Sequence, residues 1–262
     1  MELGLQGRVA FITGASRGIG AAIAEEFAAE GAHLGLFGRD RAACEALAGR
    51  LEAAHGVRAA YAPIDFERPE TIGPAVAQVV AALGGVDILV NNAGGAPRGL
   101  LHEIPDGDWL SGFLVKPIGL MRMSREVIPH LRRSAAGCIV NIGGTRGREP
   151  STFSTMAGPI NMGTLGATKV LANYLGPDGI RVNAVAPGTT DTGRFTELIG
   201  LTARERGLSR EEAERHLLRE VPLGKVVMPV DVAKAVVFLA SDAARMITGT
   251  AINVDGGRTR SI

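Results

Sequence analysis

The chain reads as an α/β protein of one domain, with a seven-stranded parallel sheet carrying helices on both faces. Three observations predict this. Short β-branched runs alternate with helical patterns along the whole length, which is the signature of parallel strands joined by helical crossovers. The 262 residues fit a single α/β unit and can bury a sizeable core. No linker, repeat or low-complexity segment divides the chain into more than residues 1–262 taken as one domain.

Each element has its own justification. "RVAFIT" at 8–13 is an apolar β-branched run of buried-strand length, and "AAIAEEFAAEG" at 21–31 is a helical pattern stopped by Gly31. "HLGLFG" at 33–38 gives a second strand and 40–55 a second helix. "RAAYAPID" at 58–65 is the third strand, followed by a helix over about 69–83. "VDILVNNAG" at 86–94 is the fourth strand, and helical patterns fill about 107–133. "GCIVNIGG" at 137–144 is the fifth strand, with a helix over 160–175. "IRVNAVAPG" at 180–188 is the sixth; helical patterns return at about 194–219 and 230–241, and "AINVDGG" at 251–257 closes with the seventh.

Composition removes several classes of function. A net charge of +1 provides no field to gather nucleic acid or an anionic membrane, and 4% aromatics leave no stacking platform for single strands. No uninterrupted apolar run is long enough to span a bilayer. No basic leader or signal-peptide core precedes the first strand, so a cytoplasmic location is expected. Cys44 and Cys138 are expected as buried free thiols rather than a disulfide. His33, His55, His102, His130 and His216 are scattered without ligand spacing, so no metal site is expected. Glycine is abundant, 36 residues against a usual share of roughly 7%, and falls mainly at predicted turns.

Three of those glycines carry chemistry. Gly14, Gly18 and Gly20 lie between the first strand and the first helix. There glycines let the backbone approach a pyrophosphate, and a helix N-terminus offers free N–H donors and a positive dipole end. A tight structural turn would use the same residues, but the position, after a strand and opening a helix, is the one a nucleotide site requires. The glycine spacing is wider than in the usual dinucleotide fingerprint.

"TGASRGIG", "NNAG" at 91–94 and "RVNAVAPG" at 181–188, in this order, resemble the short-chain dehydrogenase/reductase family, and the resemblance covers nearly the whole chain. It implies a doubly wound, Rossmann-type, seven-stranded sheet, an NAD or NADP cofactor, and assembly as a homo-oligomer, a dimer or tetramer. Carried over residue by residue, it places Ser16, Arg17 and Ile19 on the phosphates and adenosine. Asp65, with Phe66 beside it, is similar to the acid that contacts the adenine amino group. Asn91, Ala93 and Gly94 would line the adenosine ribose. Pro187, Gly188, Thr190 and Thr192 resemble the loop that holds the nicotinamide carboxamide, and Ile142 and Asn161 complete the cofactor set. At the end of the second strand, where an acid would accept from a ribose 2′-OH, the chain has Gly38 and Arg39. The guanidinium suits a 2′-phosphate, with Arg17 as a second positive group, so NADP is expected in preference to NAD. The alternative for both arginines is a solvated surface.

The same resemblance implies four reaction groups: a Tyr that passes the proton, a Lys four residues later, a Ser that orients the substrate oxygen, and an Asn on an earlier helix. Ungapped counting from "GIRVN", "IVNI" and Trp109 places them at Ala157, Asn161, Gly144 and Lys116. All four are replaced. The only tyrosines, Tyr61 and Tyr174, belong to the third strand and to the end of a helix, out of reach of a nicotinamide. "TMAGPIN" at 155–161 is therefore where the proton-transfer pair would stand. Its Pro159 suits a first helical turn, and the helix is expected to begin later than in the family.

Losing a phenol and a hydroxymethyl widens the pocket. Arg98, Lys116, Arg146 and Arg148 lie nearby in sequence and suggest a small anionic substrate held by forked arginines. The alternative is rim arginines paired with Glu103 and Glu149. Lys116 either faces the site, where burial lowers its pKa and makes it an acid, an oxyanion partner or a nucleophile, or it extends its ammonium to solvent. Pro117 can bend the helix and redirect it. Ser151, Thr152, Ser154 and Thr155 have no adjacent base, and the charged stretch 202–220 reads as a solvated helix face. Three functions stay open. One is an atypical NADP-dependent oxidoreductase acting on a conjugated C=C. The others are an inactive nucleotide-binding scaffold partnering an active relative, and a non-redox lyase or isomerase using Lys116.

Overall fold

The computed structural model describes residues 2–96, 99, 101–150 and 155–261. Seven parallel strands form one sheet in the order β3-β2-β1-β4-β5-β6-β7. They are β1 (Val9–Thr13), β2 (His33–Gly38), β3 (Ala59–Pro63), β4 (Ile88–Asn91), β5 (Cys138–Ile142), β6 (Arg181–Pro187) and β7 (Ala251–Val254). The predicted doubly wound sheet is thus observed. The chain winds outward from β1 in one direction and from β4 in the other, so the crevice at the carboxyl ends of β1 and β4 is the topological switch point.

Helices α1 (Gly18–Ala29), α2 (Arg41–His55) and α9 (Pro229–Ala240) cover one face; α3 (Ile72–Leu83), α5 (Pro117–Leu131) and α6 (Ala157–Leu175) cover the other. Side chains alternate across the sheet, so Ala10 and Ile12 pack with Ile23, Phe27 and Val236, while Phe11 packs with Val79, Leu89 and Val127. Both faces being covered explains why the strands read as continuous apolar runs rather than as alternating ones. Cys44 and Cys138 are buried free thiols, as expected.

Three helical boundaries depart from the sequence expectation. The pattern over 107–133 is two helices, α4 (Asp106–Val115) and α5, because Pro117 lacks the N–H that would continue the ladder and Lys116 takes φ −100°, ψ −83° between them. The pattern over 194–219 is also two, α7 (Gly193–Arg206) and α8 (Arg210–Leu218). Gly207 ends the first with φ +63°, and a reciprocal Ser209–Glu212 capping box starts the second. Helix α6 begins at Ala157 rather than 160, with Pro159 in its first turn, where a missing N–H breaks no intrahelical bond. No helix among the described residues is long and apolar enough to cross a membrane.

Candidate active site

The turn after β1 is held open by its own backbone and by two residues outside the glycine motif. Gly14 (φ +66°) and Gly18 (φ +57°) adopt left-handed conformations that favour glycine. A Cβ on Gly20 would lie 2.1 Å from the Gly14 carbonyl oxygen, so the close approach of α1 to the loop requires glycine there. Asn92 Nδ2 donates to the carbonyls of Thr13 and Gly14 at 3.0 and 3.1 Å. Thr13 Oγ1 accepts from the N–H groups of Asn92 and Ala93, both at 3.0 Å. In the sequence the only signal of Thr13 and Asn92 is the polar end of two otherwise apolar strands.

Arg17 occupies the N-cap of α1 without a side-chain hydrogen bond to the first turn, and no acid lies in that turn. The first N–H groups of α1 therefore face the switch point without a carboxylate or hydroxyl cap, as a bound diphosphate would require. Ser16 and Ile19 are half-buried at the same end, and Arg17 is exposed. This glycine cradle fits a dinucleotide.

The side expected to take the adenosine lies at the ends of β2 and β3. Arg39 is exposed after Gly38. The neighbouring acid, Asp40, accepts from Ala43 N at 3.0 Å as the N-cap of α2, so its carboxylate is committed to its own helix. Asp65 is half-buried and accepts from Glu67 N at 3.0 Å. Phe66 is buried against α5, where a Cβ on Gly119 would lie 2.9 Å from its ring. Asn91 is 5% exposed and donates inward to Asn141 Oδ1 at 2.9 Å and Ser124 Oγ at 3.2 Å. Ala93, half-buried, and Gly94, with φ +106°, follow it at the crevice.

On the opposite wall Ile142 is buried at the end of β5. Pro187 ends β6, and Gly188 packs so tightly on Asp255 that a Cβ would lie 2.7 Å from it. Thr190 Oγ1 donates back to Gly188 O at 3.2 Å. Thr192 is the N-cap of α7, and its Cγ2 lies 3.4 Å from where a Gly18 Cβ would be. The loop from β6 thus crosses the crevice to reach the start of α1.

The four positions at issue form one cluster. Lys116, only 9% exposed, donates from Nζ to Gly143 O at 2.8 Å and to Asn161 Oδ1 at 2.7 Å. Asn161 Nδ2 in turn donates to Ala157 O at 2.8 Å. A Cβ on Gly144 would lie 3.0–3.1 Å from the Asn161 amide group, and one on Gly94 would lie 3.1 Å from Lys116 Cβ. The residue types implied at 116 and 161, Asn and Lys, are both present with their places exchanged, and they are hydrogen-bonded to each other. Burial, with the nearby Arg194 guanidinium adding to it, lowers the Lys116 pKa from its ordinary 10.5 to about 7. Two of the three ammonium protons are used by Gly143 and Asn161. Of the two readings of Lys116, the buried one is observed.

No phenol stands near this cluster. The Tyr61 hydroxyl donates to Gly38 O at 3.2 Å, and Tyr174, 60% exposed, lies against Arg132 at the far end of α6. Of the arginines suggested for an anionic substrate, Arg146 and Arg148 bond elsewhere. Arg148 is exposed and donates to Ala251 O at 3.0 Å, turned toward β7 because that carbonyl offers an acceptor beside it. Arg146 is half-buried and oriented toward Glu149 O at 3.4 Å, with Arg258 and Glu220 near enough to act on its charge. Glu149 accepts from the backbone N–H groups of Arg260 and Ser261 rather than from a guanidinium. Arg98, Ser151, Thr152 and Ser154 lie outside the described residues. Thr155 Oγ1 donates to Gly99 O at 3.3 Å. Among the described residues no group of three His, Cys, Asp or Glu could hold a metal ion.

A cation that sequence reasoning missed is present instead. Arg194, in the first turn of α7, lies over Gly95, where an added Cβ would fall 1.8–2.1 Å from its guanidinium. Gly95 follows directly on the glycine that packs against Lys116.

Comparison with known proteins agrees with the fold. Residues 14–259 match a family model described as enoyl-(acyl carrier protein) reductase. The chain is 36% identical over 256 residues to the 3-oxoacyl-(acyl-carrier-protein) reductase FabG of Pseudomonas aeruginosa, covering 97% of this chain and 98% of that one. It is 33% identical over 261 residues to the 2,3-dihydro-2,3-dihydroxybenzoate dehydrogenase of Bacillus subtilis, covering 99% and 98%. Among solved structures, the L-sorbose reductase of Gluconobacter frateurii, complexed with NADPH and L-sorbose, superposes with a TM-score of 0.94 at 31% identity over the whole of both chains. YwfH, an NADPH-dependent reductase involved in bacilysin biosynthesis, superposes at 0.91 with 26% identity, covering 98% and 100%.

Proposed function

Since the chain belongs to the short-chain dehydrogenase/reductase family, we propose that it is an NADP(H)-dependent oxidoreductase that reduces a C=C bond conjugated to a carbonyl, with Lys116 as the proton-bearing group. The observation that carries this reading is the buried Lys116 ammonium, bonded to Asn161 and Gly143 O beside the crevice. A dinucleotide held by the Gly14–Gly20 turn and the Thr190–Thr192 loop would supply the hydride. Hydride addition to the carbon β to a carbonyl leaves an enolate, whose negative charge needs a nearby cation and whose α-carbon needs a proton. Lys116, with a pKa of about 7, can supply both near neutrality. Asn161 and the Gly143 carbonyl fix its position, and Pro117 keeps the helix broken where it enters. Reduction of a simple ketone calls for a donor at the start of α6, and Ala157 supplies none there.

Assays of NADPH consumption test this. Enones and enoyl thioesters are expected to turn over, and simple ketones and secondary alcohols to do so about 10²–10⁴-fold more slowly than with a donor in place. Ordinary ketone turnover would show that another group substitutes for the phenol. No turnover of any conjugated substrate would favour the scaffold, in which Lys116 only ties α6 to the β5 loop.

For the cofactor, the exposed Arg39 and the commitment of Asp40 to its own helix support NADP over NAD. Calorimetric titration is expected to show NADPH bound about 10-fold or more tighter than NADH, as a charge-assisted hydrogen bond allows. Arg39→Ala should remove most of the difference. Equal affinities in the wild type contradict the assignment. We also infer a homo-oligomer, a dimer or tetramer; exposed apolar side chains on α5 (Ile118, Met121) and α6 (Met162, Val170) support it. Buried free thiols support a cytoplasmic location.

A further inference from the structure

We propose that Arg258 is a positioning residue: from the C-terminal segment it clasps the base of the α7–α8 lobe and so fixes the Gly188–Thr192 loop against the dinucleotide crevice. The inference concerns the dinucleotide end of the site and does not depend on the conjugated-reductase reading.

The lobe needs a clasp because of how it is packed. Phe195, Ile199 and Ala213 are buried in a small core that α7 and α8 make with each other, apart from the two cores on the sheet faces. Its attachment to the sheet therefore rests on its two feet. One foot is the Gly188–Thr192 loop, which leads into α7; the other is the segment 219–227, which leaves α8. The feet are tied to each other, since Asp191 N donates to Val227 O at 2.8 Å and Val227 N donates to Thr189 O at 3.1 Å.

The tail after β7 lies across both feet. Buried Asp255 accepts from Gly257 N at 2.9 Å and from Thr259 N at 2.8 Å, which turns the chain back on itself. Gly256 and Gly257 have φ +64° and +85°, the left-handed region that favours glycine. A Cβ at 256 would lie 2.6 Å from Val221 Cγ1, and one at 257 would lie 3.2 Å from Pro222 Cγ, so the turn sits directly on the second foot. From this turn the Arg258 guanidinium spans the two feet. Nη1 donates to Thr189 Oγ1 at 3.2 Å, and Nη2 donates to Glu220 Oε2 at 2.8 Å. The Arg258 side chain is 18% exposed and that of Glu220 60%. An ion pair with so open a partner adds little to global stability. The planar fork adds geometry instead, because two donors at a fixed angle hold two loops at one separation. Glu149 accepts from Arg260 N and Ser261 N, so the end of the tail is anchored independently of the Arg258 side chain. Slack at the base of the lobe would pass directly to Thr190 and to Thr192, whose methyl approaches Gly18 across the crevice.

Arg258→Gln keeps a polar side chain but loses the charge and the fork. Hydrogen exchange of the full-length protein without cofactor, read by mass spectrometry, should show the amides of 193–218 exchanging about 10-fold faster, as the loss of charge-assisted hydrogen bonds allows. Exchange in β1, β4 and β5 should stay unchanged. Calorimetric titration should show NADP⁺ bound about 5-fold or more weakly, the lower end of coupling between sites. Arg258→Lys, a single ammonium that serves one partner at a time, should recover part of both effects. Glu220→Gln should loosen the lobe likewise, and combining it with Arg258→Gln should loosen that lobe no further than Arg258→Gln alone, as expected of two ends of one contact. Lobe exchange unchanged in Arg258→Gln, a rise shared equally by the sheet, or an unchanged NADP⁺ affinity would overturn the proposal. Neither measurement needs turnover, so a failure of conjugated substrates to react would count against the reductase reading alone.

Discussion

Lys116→Met is expected to lower turnover of a conjugated substrate by about 10²–10⁴-fold, the usual worth of a positioned proton donor, with NADPH affinity unchanged. The variant keeps a side chain of similar length and apolar stem but holds no proton and no charge. The glycine cradle, Asp65 and the Thr190–Thr192 loop are separate from it, and Asn161 keeps its bond to Ala157 O, so cofactor binding has no reason to change. The pH profile gives a second readout. The reacting form is the ammonium, and its pKa lies at about 7 because of burial and Arg194. Wild-type kcat/KM should therefore fall as pH rises through that value, and the residual rate of Lys116→Met should lose this limb. Lys116→Asn restores the residue type that the family resemblance implies, yet ketone reduction should not appear, since Ala157, Gly144 and Asn161 remain. Steady-state kinetics of the three proteins from mildly acidic to mildly alkaline pH decides the matter. Undiminished turnover by Lys116→Met would remove the lysine from the mechanism.

The same substitution should raise stability in acid. Lys116 has a folded-state pKa of about 7 against an ordinary 10.5, so between those values the unfolded chain binds more protons than the folded one. Stability contributed by this group therefore rises with pH across that window, and the full penalty of burying the ammonium applies below it. The penalty is about 5 kcal/mol at about 1.4 kcal/mol per pH unit. Methionine relieves it but leaves Gly143 O and Asn161 Oδ1 without their donor, a loss of about 1–3 kcal/mol. Near pH 6 the variant should then be about 2–4 kcal/mol more stable than the wild type, with the gap closing by about 1.4 kcal/mol per unit above pH 7. Urea denaturation of both proteins at matched pH values measures it. A constant gap would mean that Lys116 titrates normally, outside the buried geometry.

Most of the scaffold was legible because it rests on local periodicity. Strand runs such as 33–38 and glycines such as Gly20 follow from burial and backbone clearance, which the chain states residue by residue. The breaks in 107–133 and 194–219 were less legible, since the helical pattern continues through Lys116 and Gly207 and only Pro117 and the Ser209 cap mark the ends. The site was readable as a set of absences but not as an arrangement. That Lys116 bonds to Asn161, 45 residues away, depends on where β5 brings α6. Arg194 gave no signal at all, because it lies over Gly95, and a glycine does not announce what lies over it. Arg148 shows the converse: nearness in sequence to the crevice says nothing about which carbonyl a long side chain finds.

The tight fit between Gly144 and Asn161 bears on history rather than chemistry. Asn161 is held from both ends, by Lys116 and by Ala157 O, so it cannot yield the few tenths of an ångström that a Cβ at 144 would demand. A serine placed at 144 first therefore meets an occupied space, whereas a change at 161 first frees it but strands the Lys116 ammonium. Whichever of these two positions changes first, the intermediate is poorer, so positions 144 and 161 have to change together or after Lys116.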